Sequence, residues 1–329
     1  MCQKSKLAEK IDGFISTMQN IGQKVNSNGL NAELQTKVDA AIRSISSVCK
    51  EIELAESNKR LLSGLKEQFR KATLPLFLQS YCIKRSYDKP RGYAGDFEII
   101  DRIYKNTPVG QGIGLALDTY YLGNPGSVAM RSRKKYCVFR LLEELEALKQ
   151  KNREIISVLD IGSGPGRDVL EIAENLRDKK HIKFTLFDQD EEALKHSEKI
   201  LINYADIVDY RKLNLMRIVA GEKYNRQRYG EHDIIMCIGL YDYLEEKDAV
   251  RLTKAAFSML KKNGLLVISN WDISNPSRTE MEWVCDWHVY HRTQNEMTGI
   301  ANKAGIRDKN IEAVKDPTGH FDILFLRNN

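Results

Sequence analysis

Residues 158–168 read Val-Leu-Asp-Ile-Gly-Ser-Gly-Pro-Gly-Arg-Asp, an apolar run that breaks into three alternate glycines before a helical pattern begins. The spacing predicts a buried strand, a tight turn and a helix start. Residues lacking Cβ let the backbone turn sharply and lie close against a ligand. In open α/β sheets such turns lie beyond the carboxyl ends of the strands, where ligands bind.

Working outward, apolar strands are expected over 155–161, 181–187, 208–213, 233–238 and 265–269, separated by helical patterns over 168–176, 191–203 and 247–260. Strands alternating with helices imply a parallel sheet. Residues 311–314 and 321–326 flank Asp316-Pro317-Thr318-Gly319 and predict an antiparallel hairpin at a sheet edge. The fold class is therefore α/β, a mostly parallel sheet with an antiparallel edge hairpin. The second strand runs into Asp188, which either accepts hydrogen bonds from two ribose hydroxyls or caps the helix from Glu191. A dinucleotide fingerprint would need Gly at position 167, where Arg167 stands, and no Gly-Lys-Ser/Thr follows the turn to make a P-loop.

Upstream, Leu7, Ile11, Phe14, Met18, Ile21 and Val25 mark one helix. Leu34, Val38, Ala41, Ile45, Val48 and Ile52 mark a second with a heptad seam. That seam must be buried, within a bundle of this chain or in a homodimer contact. A third helix is expected over 59–70, loops over 89–96, 107–114 and 123–126, and a long helix over 128–149. This gives three regions: an α-helical N-terminal bundle over 1–80, a helical lid over 81–150, and the sheet domain over 151–329.

The 329 residues suit about two domains. Hydrophobic residues at 42% and charged ones at 29% exclude disorder throughout. No apolar run approaches the roughly 18 residues of a membrane span, and the first residues lack a signal core, so a cytoplasmic protein is expected. Net charge is +6, spread through mixed-sign segments. The one basic run, 131–135, reads as a solvated helix face or a patch for nucleic acid, and the mild balance makes nucleic acid unlikely. Six scattered cysteines form no CxxC pair, and His288 and His291 lack a completing ligand set, so no metal is expected.

The ordered motifs resemble those of the class I S-adenosylmethionine-dependent methyltransferases. "VLDIGSGPGRD" looks like their first motif, "FTLFDQDEEAL" like their second, "KLNLM" like the adenine loop, and "DIIMCIGLYDYL" like the fourth strand with its active-site edge. "MLKKNGLLVIS" is similar to their turn into strand five, with Asn263 departing from the usual Pro. The resemblance implies a Rossmann-like sheet, S-adenosyl-L-methionine as cofactor and S-adenosyl-L-homocysteine as product. It implies that Asp160, Gly162, Ser163 and Gly164 surround the methionine and ribose portions and that Asp188 holds the ribose. Asn214 and Leu215 would meet adenine, and Ile238 and Gly239 would line the sulfonium side.

"KPRGYAGDFEIIDRIY" and "SVAMRSRKKY" resemble a segment of a bacterial subgroup that includes enzymes making 3-hydroxypalmitic acid methyl ester. That implies a small-molecule acceptor methylated at a carboxylate or hydroxyl oxygen. Methylation of nitrogen, of RNA or protein, or a scaffold that only binds cofactor remain alternatives. On the acceptor side, Tyr93 would line the pocket. Arg131 or Arg133 would bind a carboxylate; at spacing two they point to different helix faces. Trp287, Tyr290 and His291 belong to an aromatic insert after strand five, which either lines the acceptor or packs as ordinary core. Tyr243, following strand four, and His288 are the candidate catalytic groups, with histidine suited to deprotonating a hydroxyl.

Overall fold

The computed structural model describes residues 3–150, 155–220 and 224–329. Met1, Cys2 and residue 151, the expected start of the sheet domain, lie outside the described residues. The chain divides into two compact units: residues to 128 with 276–288, and 129–275 with 289–329. These units cut across the boundaries expected at 80 and 150.

The helical unit holds α1 (Gln3–Asn28), α2 (Ala32–Ala55), α3 (Lys59–Phe77), α4 (Tyr81–Asp88), α5 (Phe97–Lys105) and α6 (Ile113–Gly123). The apolar stripe of α1 is buried as its spacing requires. On α2 the buried positions are Leu34, Val38, Ile42, Ile45, Cys49 and Ile52, so Ile42 and Cys49 replace Ala41 and Val48 of the expected seam. From Val38 onward the buried positions still alternate four and three, shifted by one residue, and α2 packs against both α1 and α6. Four helix starts of this unit carry side-chain caps, from Asn31, Asn58, Ser80 and Asp96. Asp118 of α6 is wholly buried and accepts hydrogen bonds from Ser80 Oγ at 2.5 Å, from Cys82 N–H at 3.0 Å and from Gly110 N–H at 2.9 Å. One carboxylate thus fixes the start of α4 and the loop before α6. Helices α4 and α6 are absent from the sequence reading.

A long helix, α7 (Pro125–Lys149), begins three residues earlier than expected. Pro125 stands at its first position, where the missing N–H costs nothing, and Asn124 Oδ1 accepts from Ser127 N–H at 2.8 Å. The sheet unit then runs β1 (Ile156–Ile161), α8 (Arg167–Asn175), β2 (Ile182–Asp188), α9 (Glu191–Ile200), β3 (Val208–Lys212), α10 (Leu215–Ala220), α11 (Asn225–Tyr229), β4 (His232–Cys237), α12 (Glu246–Ser258) and β5 (Leu260–Trp271). A further helix, α13 (Arg278–Trp283), belongs to the helical unit; α14 (Gln294–Lys303), β6 (Ile311–Lys315) and β7 (Phe321–Arg327) return to the sheet unit.

The seven strands lie in the order β3-β2-β1-β4-β5-β7-β6. The first five are parallel, while β7 is antiparallel to both β5 and β6. The expected hairpin is present, with β6 at the edge. Alternation sends Ile156 and Val158 to one face, under α7, α8 and α9, and Leu159 and Ile161 to the other, under α10, α12 and α14. Each fully buried aliphatic side chain contributes about 1.5–3 kcal/mol. Asn263 takes a left-handed φ of 62° that a proline ring cannot adopt, which accounts for its departure from Pro.

Candidate active site

Strand order reverses between β1 and β4, and the crevice beyond the carboxyl ends at such a switch point is where a sheet of this kind binds ligands. The turn after β1 is held there by β2: Gly162 and Ser163 N–H donate to Phe187 O at 2.8 and 3.1 Å. Gly164 N–H donates to Asp188 Oδ2 at 2.8 Å, while Asp190 N–H donates to Asp188 Oδ1 at 2.9 Å. The helix cap is Asp190, whose side chain accepts from Glu192 N–H at 3.0 Å; Asp188 therefore does not cap α9. Leu213 N–H donates to Asp188 O at 2.8 Å and ties the loop after β3 to the same place.

Three carboxyls surround this turn. Burial, joined by the charges of Asp168 and Asp188, holds the Asp160 carboxyl well above the usual range. Burial pushes Asp168 up to about 6 against the pull of Lys134 and Arg133. Asp188 is raised by burial, and the N–H donors of Asp190 and Gly164 offset only part of that. Ser163 Oγ and Asp168 Oδ1 are buried and have no hydrogen-bond partner among the described residues. Buried polar atoms left so call for a missing partner. Gly164 has a φ of 53°, and a Cβ built on it would meet nothing within 4 Å. The turn therefore presents room, an unsatisfied hydroxyl and carboxylate acceptors on one side.

Asn214 is exposed, and its Oδ1 accepts from Met216 N–H at 2.9 Å, capping α10. Leu215 is half-buried against the face containing Ile218. After β4, Ile238 is half-buried. Gly239 lies under the guanidinium of Arg133: a Cβ there would stand 3.3 Å from Arg133 Nη2. Arg133 is buried, 3.8 Å from Asp242 Oδ2 and 4.4 Å above the Phe321 ring, whereas Arg131 is half-buried. Spacing two on a helix thus puts one arginine inside.

Asp242 escaped the sequence reading. It is buried after β4 and accepts from Trp271 N–H at 2.8 Å. Burial pushes it up to about 6, with Arg133 pulling the other way. Its signal was an acid between two tyrosines leaving a strand. Tyr241 is buried and bonded to Thr253 Oγ1 at 2.8 Å, while Tyr243 is half-buried. Arg292 was also missed. Its guanidinium donates to Tyr241 O at 2.9 Å, to Leu244 O and to Asn270 Oδ1, so it braces the loop that carries Tyr243. Tyr290 is exposed, with its N–H on Asp242 O at 2.8 Å, and His291 Nε2 lies 3.0 Å from Asn275 Nδ2.

The remaining candidates belong to the helical unit. Tyr93 is half-buried, Trp287 is buried, and His288 is exposed with Nε2 at 3.0 Å from Asp286 Oδ1. Asp96 caps α5 and pairs with Arg85 at 2.9 Å. The insert's tryptophans are divided between the two units. Trp271 stacks on Phe321 in the sheet unit, with ring centroids 3.8 Å apart. Trp283 sets its ring edge against Phe69 and donates to Glu53 at 2.8 Å in the helical unit. Among the described residues no group of three or more His, Cys, Asp or Glu is placed to hold a metal, and no helix is long and apolar enough to cross a membrane.

No curated protein matches the chain. Among solved structures it is similar to a "possible exported protein" from Bordetella parapertussis at TM-score 0.56 and 15% identity, covering 98% of this chain and 96% of that one. It is similar to the carbon methyltransferase CurJ at TM-score 0.52 and 10% identity, covering 98% and 92%. It is also similar to the magnesium protoporphyrin IX methyltransferase of Synechocystis PCC 6803 with bound SAH at TM-score 0.50 and 15% identity, covering 75% and 99%. At these identities the likeness establishes the fold. Residues 88–327 match the family described as "Putative methyltransferase", and with most of its length so matched the chain belongs to that methyltransferase family.

Proposed function

We propose that this chain transfers the methyl group of S-adenosylmethionine to a small molecule, at a carboxylate or hydroxyl oxygen. The observation that carries the reading is the glycine turn. Its Gly164 N–H is locked to Asp188, beside a buried Ser163 hydroxyl that has no hydrogen-bond partner among the described residues. When bound, the cofactor supplies a methyl carbon already activated by positively charged sulfur. The chain's own task is then alignment in a dry pocket. Asp188 keeps lone pairs beyond those given to Gly164 and Asp190, enough to accept from both ribose hydroxyls. Asp160, Gly162, Ser163 and Gly164 surround the methionine and ribose portions, Asn214 and Leu215 meet the base, and Ile238 and Gly239 line the sulfonium side. Arg133, a buried guanidinium over Gly239, suits a carboxylate. A carboxylate acceptor needs no base; a hydroxyl acceptor would be oriented by a hydrogen bond to the Tyr243 phenol and would need a base to take its proton. The likeness of residues 89–104 to the ester-forming subgroup makes a long-chain 3-hydroxy acid the first acceptor to test.

Calorimetry with S-adenosylmethionine tests the cofactor assignment. Removing an ionised acceptor of two hydrogen bonds, each worth about 1.5–3 kcal/mol, should weaken binding about a hundredfold or more in Asp188→Ala. Unchanged affinity overturns the assignment. Turnover on 3-hydroxy acids, simple carboxylates and phenols then separates the acceptor classes. Tyr243→Phe should slow hydroxyl acceptors and leave carboxylates nearly unaffected.

A further inference from the structure

The helical unit holds a cleft of about 560 Å³ whose lining comes entirely from that unit. One wall is a polar stripe of α2 in which Asp39, Arg43, Ser46 and Lys50 recur at spacings of three and four, on one helix face. The second is the end of α6 with the turn into α7, and the third is the segment from Pro276 to Glu280. Hydrogen bonds join the walls. Tyr120 Oη donates to Glu280 Oε1 at 2.5 Å, Gly126 N–H to Ser277 Oγ at 2.9 Å, and Gln35 Nε2 to Ala116 O at 3.1 Å. The cleft is therefore built into the unit, and its volume falls in the range of small-molecule sites.

Its acids and cations differ in how far they are satisfied. Asp39 accepts from Gln35 Nε2 at 2.7 Å, and Glu280 from the hydroxyls of Tyr120 and Ser46. Arg43 and Lys50 are exposed and make no ion pair and no hydrogen bond among the described residues, although the charge of Arg43 pulls the Glu280 carboxyl down against its burial. Together they offer about eight N–H donors, since a guanidinium carries five and an ammonium three. Seven residues apart on one helix, they stand about 10 Å apart along its axis. A cleft with satisfied acceptors and surplus cationic donors at that separation suits a ligand rich in acceptors at both ends.

We infer that this cleft binds a small organic polyanion, a di- or tricarboxylate or a phosphate ester, between Arg43 and Lys50. The site goes beyond the methyl-transfer reading and stands whatever the acceptor is. Citrate and inorganic pyrophosphate are the probes, titrated calorimetrically into the full chain at constant ionic strength set with chloride. Arg43→Gln/Lys50→Gln is the test variant and Lys59→Gln/Arg60→Gln the control; the control removes the same charge from exposed positions at the start of α3. Saturable binding is expected in the native protein and the control. Loss of two charge-assisted contacts should weaken it at least about tenfold in the test variant. Citrate alone binding assigns a carboxylate ligand, and pyrophosphate alone a phosphate. No saturable heat in the native protein, or equal affinity in all three proteins, overturns the inference. Circular dichroism melts of both variants check that each remains folded.

Discussion

Two glycines of the same turn should fail in opposite ways when each receives one methyl group. Gly164 and Gly166 both have left-handed backbones, with φ of 53° and 69°, so alanine at either costs about 1–2 kcal/mol from backbone strain. They differ in what the new Cβ meets. At Gly164 it meets nothing within 4 Å; at Gly166 it lies 2.8 Å from Ser197 Oγ and 3.0 Å from Ser197 Cβ. Ser197 is wholly buried and its hydroxyl is bonded to Gly164 O at 3.0 Å, so it has no room to retreat. Overpacking of that kind adds about 1–3 kcal/mol. Gly166→Ala should therefore lose about 2–5 kcal/mol in urea unfolding followed by circular dichroism, and Gly164→Ala only about 1–2. Affinity for S-adenosylmethionine should rank the other way. The methyl at position 164 occupies the open side assigned to the cofactor, so binding should weaken at least about tenfold, whereas Gly166→Ala below its unfolding transition should bind within a few-fold of the native protein. If Gly164→Ala bound the cofactor normally, the open side of the turn would not be the cofactor's side.

Three further outcomes rest on other parts of the structure. Asn263→Pro should destabilise by about 3 kcal/mol or more, since it forbids the left-handed φ and removes the N–H that donates to Asn328 O at 2.6 Å. Asn263→Gly should be neutral or better, and urea midpoints decide it. Asp242 titrates near 6 when folded against 3.8 unfolded, so its protonated form favours folding. Its contribution is complete below 3.8 and lost as pH rises to about 6, so Asp242→Asn should flatten the decline in stability across that interval. Lys66 lies 3.1 Å from Glu53 and 2.5 Å from Glu282, all largely buried. Lys66→Met takes the ammonium from both carboxylates, but Glu53 keeps the Thr279 and Trp283 donors and Glu282 keeps Arg278, so it should cost about 1.5–3 kcal/mol, and Lys66→Met/Glu282→Gln should recover part of it in the same melt; equal losses would show the pair to be unimportant.

The sheet was legible because its signals are local. Each strand is a short apolar run closed by a turn residue, and the glycine turn carries its own backbone requirement, so 155–161 and 233–238 fall within a residue or two of β1 and β4. The turn that carries the candidate cofactor residues was legible for the same reason: Asp160, Gly162 to Gly164 and Asp188 sit at strand ends. Asp242 and Arg292 were not legible, because each acts through partners set by the fold, Trp271 N–H for one and, for the other, two carbonyl oxygens of the loop after β4 with the amide oxygen of Asn270 on β5. Helices α4 and α6 escaped because their fixing element is the single buried carboxylate of Asp118, which a sequence does not distinguish from an exposed one.

The insert after β5 shows the limit most clearly. Its tryptophans read either as an acceptor pocket or as ordinary packing, and residues 276–288 are built into the helical unit by contacts spanning about two hundred positions: Glu53 with Thr279 and Trp283, Lys66 with Glu282, and Lys89 with Asp286. Glu53 and Lys66 lie on α2 and α3, within the stretch that periodicity assigns to a separate amino-terminal bundle, and Lys89 lies just after α4, in the stretch expected to be a lid. A charged residue on a helix face reads as solvated until the segment that covers it is known. Here that segment is sequence-distant, amphipathic and only one turn and a half long. The bundle that looked like an appendage thus incorporates a piece of the catalytic domain's own chain, and any amino-terminal fragment cut before residue 276 would leave Glu53, Lys66 and the Phe69 edge without the groups that complete them.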